Sequence, residues 1–258
     1  MKKIVLATAL LALGSASALA ADLGARMPMK APMMAPVSTW QGLYLGGNVG
    51  YGWGNSGMDF TGLPDTVTFN LAPTTLDTKP KGVIGGAQIG YNWQMGALVT
   101  GFEADIQGSG IKGSAALSPF LAADGTVNAG TALSTSEKLS WFGTVRGRFG
   151  VTITPDLLLY ATGGLAYGQV DDSANAHFSV PADFPASINS TKTGWTAGAG
   201  AEWMFAHNWS AKAGYLYVDL GNASAVGNPT DATLTPDQIR YTWKTKENIV
   251  RAGVNYHF

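Results

Sequence analysis

The chain has 258 residues, 46% of them hydrophobic and 13% charged, with 34 glycines, no cysteine and a formal net charge of −1. Without cysteine, a disulfide scaffold and a thiolate metal site are excluded; aromatics at 10%, and glycines with no three-residue period, exclude a disordered chain and a collagen. Charged residues reach about half the ~25% usual in a soluble globular protein, and nothing in the charge balance points to nucleic acid.

Lys2 and Lys3 precede an apolar run from Ile4 to Leu13, and Ala18-Leu19-Ala20 is a small-x-small cleavage site. Residues 1–20 therefore read as a secretory signal peptide, because the run is too short to span a bilayer. No later apolar run reaches 18 residues, so a membrane-spanning helix is not expected. Residues 21–39 hold three prolines and four methionines without apolar periodicity and read as a flexible periplasmic leader. Met27, Met29, Met33 and Met34 are soft enough to ligate copper, but the proline spacing and the lack of a nearby histidine favour a plain tether, and no metal site is expected.

Residues 40–258 divide into segments of about ten residues whose apolar positions recur every second residue, the period of a strand. In chain order one face carries Leu43 to Trp53, Val83 to Trp93, Leu98 to Ile106, Leu139 to Phe149, Leu157 to Tyr167, Trp195 to Phe205, Trp209 to Tyr217 and Val250 to Phe258. In the fourth segment, Leu139, Trp141, Val145 and Phe149 read as the apolar face and Ser140 as the polar one.

Connection lengths separate a membrane barrel from a soluble sandwich. Short turns near Gly96, Pro155 and His207 alternate with connections of roughly 20 to 30 residues, the asymmetry of short periplasmic turns and long external loops. Ten residues tilted by about 40° rise ~25 Å, the height of an outward apolar band. Aromatics gather near strand ends, as girdle residues do. The predicted fold is all-β: a closed, eight-stranded, antiparallel up-and-down transmembrane barrel with four long external loops and both termini periplasmic.

The opposite face holds the polar groups. Glu103 and Asp105 stand beside Arg146 and Arg148 on the next strand, Glu202 beside Lys212, and Arg251 points the same way. An eight-stranded lumen has room only for side chains, so these seven are expected to pair across it and plug it. A gated ion path, with one charge sign dominating a ring, is the alternative. Catalytic constellations are thin. His177 lies near Asp171, Asp172 and Ser173 in what reads as the third loop, with no rigid element to orient a nucleophile, so no enzyme is expected. Two G-x-G-x-x-G matches, at Gly52 and Gly108, open no helix and carry nothing.

The segments Tyr44-Leu45-Gly46-Gly47-Asn48-Val49-Gly50-Tyr51 and Val83-Ile84-Gly85-Gly86-Ala87-Gln88-Ile89-Gly90-Tyr91, with the terminal Val254-Asn255-Tyr256-His257-Phe258, resemble small alphaproteobacterial outer-membrane barrels of the porin family, similar to the OmpA membrane domain. The resemblance implies an envelope component and surface antigen. It also implies that Phe258, Tyr256, Val254 and Ala252 form the signal read by the barrel-assembly machinery. Some members of the group bind haemin, for which His177 or Tyr241 could supply an axial ligand; otherwise no cofactor is expected. Outer-membrane lipid and lipopolysaccharide are the expected surroundings. A structural envelope role leads, ahead of a loop-borne receptor for haem or another surface ligand and a narrow porin.

Overall fold

The computed structural model describes residues 39–63, 71–72, 75–122, 127–178, 182–231, 233 and 237–258. The expected signal peptide, the leader apart from Thr39, and its four methionines lie outside the described residues.

Eight long strands form the wall: β1 (Gly42–Gly54), β2 (Lys81–Met95), β3 (Leu98–Leu117), β4 (Ala132–Thr154), β5 (Leu157–Phe178), β6 (Ala182–Ala206), β7 (Trp209–Gly227) and β8 (Gln238–His257). Each pairs antiparallel with its neighbour in sequence, and β1 closes the ring on β8 from Tyr44↔His257 to Gly54↔Glu247. Closure is what a membrane demands, since open-edge backbone groups would find no partner in hydrocarbon. Two-residue turns join β2 to β3, β4 to β5 and β6 to β7 at the end where β1 begins and β8 stops. The first turns on Gly96, whose φ of 62° lies in the left-handed region.

The alternation is obeyed in three dimensions. Phe102 and Leu165, 62% and 68% exposed, face outward at mid-wall, where only lipid can cover them. Around them run two aromatic belts. At the turn end, Trp209, Tyr256 and Phe258 stack edge to face, with centroids 5.2 and 5.0 Å apart. At the other, Trp195 meets Tyr217 at 5.3 Å and Trp141 meets Tyr167 at 6.0 Å.

Two expectations are corrected. The strands are not uniformly near ten residues: β4, β5 and β6 have 23, 22 and 25. What reads as long loops is largely strand, and the wall stands well above the membrane. Beyond the upper belt the outward positions turn polar, as at Ser134, Ser136, Ser173 and Ser187, while small apolar residues such as Ala174 and Ala186 turn inward, so the apolar stripe that marks a membrane strand disappears. In the connection after β1, the strands Ser56–Leu63 and Thr75–Thr78 extend the sheet, the former pairing with the upper part of β8. The second correction concerns Leu139 and Ser140. The ladder shifts register between Gln169 and Val170 opposite this stretch, so Leu139 is buried inside and the Ser140 hydroxyl donates to Asp171 at 2.8 Å. A bulge inverts the phase of everything above it.

The lumen as candidate functional site

Inward side chains fill the barrel in layers, which β8 crosses from end to end. Ile239, Tyr241 and Trp243 join an upper apolar cluster with Met58, Phe60 and Phe184. Thr245 and Glu247 belong to a polar layer with Glu137, Asp172 and Lys192. Ile249 enters a second apolar cluster around Phe142 and Leu216. Arg251 and Asn255 lie in the charged layer, and His257 borders the mouth at the turn end. Each layer follows from strand period two: every second residue of eight strands is turned into one narrow space.

The charged layer assembles all seven residues expected there. Arg146 bridges Glu103 and Asp105, the latter at 2.6 Å. Arg251 also spans both acids, at 3.2 and 2.9 Å. Lys212 donates to Glu103 at 2.8 Å, and Arg148 pairs with Glu202. Two partnerships run across the lumen, as expected, and bypass the adjacent strand. Glu202 and Lys212 are register partners, yet Lys212 reaches across the lumen to Glu103 and Glu202 takes Arg148. In so narrow a barrel a long side chain meets the opposite wall as readily as the adjacent strand.

Two tyrosines that sequence reasoning passed over, with polar-face amides, complete the network. The Tyr44 hydroxyl donates to Glu103 at 2.7 Å, and the Arg148 guanidinium stacks over Tyr160 at 3.9 Å. Asn255 donates to Glu202 at 2.6 Å, and Gln88 links Asn255 to Asn48. Strict alternation could have found both tyrosines: Tyr44 sits between outward Leu43 and Leu45, Tyr160 between Leu159 and Ala161. Their rings need room, which glycine provides. A Cβ on Gly200 would come within 2.6 Å of the Tyr160 hydroxyl.

Trp40 closes the mouth at the turn end. Its backbone N–H donates to Gln94 at 2.8 Å, its indole donates to the Pro155 carbonyl at 3.0 Å, and the ring packs with Val99, Leu158 and Met204. Just inside lie Ser210, His257 and Glu202, with the Ser210 hydroxyl 2.9 Å from His257 Nε2. The grouping is not a triad in form: Glu202 accepts from the Ser210 hydroxyl instead of orienting the imidazole through Nδ1, and Trp40 stands edge-on over the ring at 5.7 Å.

The two haem candidates are not brought together. Tyr241 is not a loop residue: it is fully buried in β8, its hydroxyl donating to the Phe184 carbonyl at 2.7 Å and accepting from the Ala176 N–H at 3.1 Å. It offers no external ligand. His177 stands at the exposed end of β5, 3.0 Å from Asp183, whose carboxyl is held below its usual range by hydrogen bonds from Asn175 and His177. Among the described residues no group of three or more histidine, aspartate or glutamate side chains is arranged to hold a metal.

The model of the outer membrane protein beta-barrel domain matches residues 6–258. The chain belongs to this family. It is 39% identical over 261 residues to the 31 kDa outer-membrane immunogenic protein of Brucella melitensis, each chain being covered in full. A 22 kDa outer membrane protein of Rhizobium leguminosarum is 31% identical over 71% of this chain and 66% of its own. Among solved structures, the outer membrane protein OprG of Pseudomonas aeruginosa aligns at 11% identity over 84% of this chain and 96% of that one, with a TM-score of 0.48. By its family and these relatives the barrel is an integral protein of the outer membrane, and the relatives are outer-membrane and immunogenic proteins.

Proposed function

We propose that the protein is a non-catalytic structural component of the outer membrane, with a lumen closed to solutes and an outer half presented to the medium. The observation that carries this reading is the neutralisation of Glu103 by Arg146, Arg251 and Lys212, contributed by three different strands. A conducting path needs a hydrated column whose constriction is dominated by one sign of charge. Here opposite charges touch across the lumen, apolar layers lie above them, and Trp40 lies below. The Brucella relatives named as immunogenic support surface exposure of the outer half.

Deletion of the gene tests the role. The expected phenotype is sensitivity to detergent and to large antibiotics, restored to wild type by the barrel. An intact barrier combined with slower uptake of one small solute would contradict the structural reading and favour a transporter.

A further inference from the structure

Just above the upper aromatic belt, three lysines stand side by side on the outer wall. Lys81 of β2 is the register partner of Lys112 on β3, which is the partner of Lys138 on β4. The row begins at Trp53, the partner of Lys81 on β1, and ends at Asp171, the partner of Lys138 on β5. With neighbouring strands about 4.8 Å apart, the three ammonium stems leave the wall within roughly 10 Å of one another. All three lysines are exposed, and among the described residues none forms an ion pair. Elsewhere on the wall, by contrast, Lys244 pairs with Asp59 at 2.8 Å and Lys246 lies 3.5 Å from Asp219. Like charges on adjacent strands destabilise a sheet unless something anionic stands over them.

One step further from the membrane, Ser114, Ser136, Ser173 and Ser187 occupy one register line across β3, β4, β5 and β6. They floor a concavity of about 790 Å³ on the outer wall, whose other lining side chains include alanines, Asn175 and Pro185. The Ser136 and Ser173 hydroxyls are 2.9 Å apart, so the floor offers donors and acceptors with little bulk.

We propose that this sector is a binding site for a phosphorylated glycolipid of the outer leaflet, the lysine row taking the phosphates and the serine floor the adjoining saccharide. Position selects that partner: a basic row just above the aromatic belt meets headgroups, and a polar concavity directly above meets what the headgroup carries outward. Lysine suits phosphate as a compact, mobile point charge.

The test uses the full-length protein in nanodiscs with bis-phosphorylated lipid A bearing its core saccharide, the same glycolipid dephosphorylated, or phosphatidylglycerol. Glycolipid retained through detergent extraction is counted by native mass spectrometry. The triple variant K81Q/K112Q/K138Q should hold the phosphorylated glycolipid about a hundredfold more weakly. Ser136→Leu should weaken the glycolipid while leaving phosphatidylglycerol unchanged. K244Q/K246Q should match the wild type, and inorganic phosphate at millimolar concentration should not displace the lipid. The variants must show wild-type heat-modifiable mobility on a detergent gel, which confirms closure; unclosed variants are replaced by K81R/K112R/K138R against single glutamine changes. Equal retention by a closed triple variant, equal retention of the dephosphorylated glycolipid, or displacement by phosphate alone would each overturn the proposal. None of these outcomes bears on whether the lumen is closed.

Discussion

Glu103 accepts from Tyr44 and pairs with Arg146, Arg251 and Lys212, so its removal leaves Arg146 and Arg251 sharing Asp105 and takes from Lys212 the acid it pairs with. Glu103→Ala should cost about 3 to 5 kcal/mol, the range for breaking a buried pair, because uncompensated charges remain where water is scarce. Adding Lys212→Ala should recover part of the loss, with a coupling of about 0.5 to 3 kcal/mol in a double-mutant cycle read by urea unfolding in lipid. Additive costs would mean that the cross-lumen pair is absent. The membership of this network was legible in the sequence, because strand parity alone turns Glu103, Asp105, Arg146, Arg148, Glu202, Lys212 and Arg251 inward. The partnerships were not. Parity says which way a side chain leaves the backbone, whereas the exchange that gives Lys212 to Glu103 and Arg148 to Glu202 depends on lumen width and side-chain reach. Tyr241 was misplaced for a related reason: above the membrane the outward face is polar, so an inward tyrosine reads as a loop residue.

At the scale of elements, the lipid-facing halves of the strands follow from alternation, while their outer halves and the bulge do not. Leu139 shows why. Read in a single phase with Trp141, it falls on the lipid face; the register shift beside Ser140 puts it inside with Phe142. A bulge adds one residue without a sequence mark that periodicity can detect. Phe102 lies on the unambiguous side, and Phe102→Arg should cost about 2 to 4 kcal/mol near the membrane midplane. Tolerance of arginine in equilibrium unfolding would mean that β3 faces the other way. The last strand makes a separate prediction. Phe258 donates its N–H to the Leu43 carbonyl at 3.0 Å and ends the lower belt, so it serves the seam and presents the terminal aromatic. Its deletion should lower the fraction of heat-modifiable barrel recovered from the outer membrane, and wild-type recovery would separate the terminus from assembly.

Over the whole molecule, polar layers alternate with apolar ones, and the upper polar layer makes stability depend on pH. Glu137 lies inside the wall above the upper belt; burial pushes its carboxyl up, and the nearby charge of Asp172 adds to the rise. Asp172 is itself raised by burial, with Lys192 pulling the other way from 2.9 Å. A raised carboxyl binds its proton more tightly when folded than when unfolded. Its stabilising contribution is therefore complete below the ordinary carboxylate range and is lost as pH rises through the raised value. The thermal midpoint should climb as the pH is lowered from neutrality toward the ordinary carboxylate range, and Glu137→Gln should flatten that slope. A midpoint that falls over this window, or a variant with an unchanged slope, would contradict the buried, charge-crowded layer.

The same layering decides whether the barrel can pass anything. Apolar clusters, the paired charge network and Trp40 lie in series along one narrow axis, and the proposed closed lumen rests on that series. The direct measurement is single-channel recording of the full-length protein in a planar bilayer at 1 M KCl, with insertion verified independently by protease protection. A flat baseline over the voltage range that the membrane withstands is the predicted result; reproducible ohmic steps that scale with salt would show a continuous aqueous lumen and contradict the account.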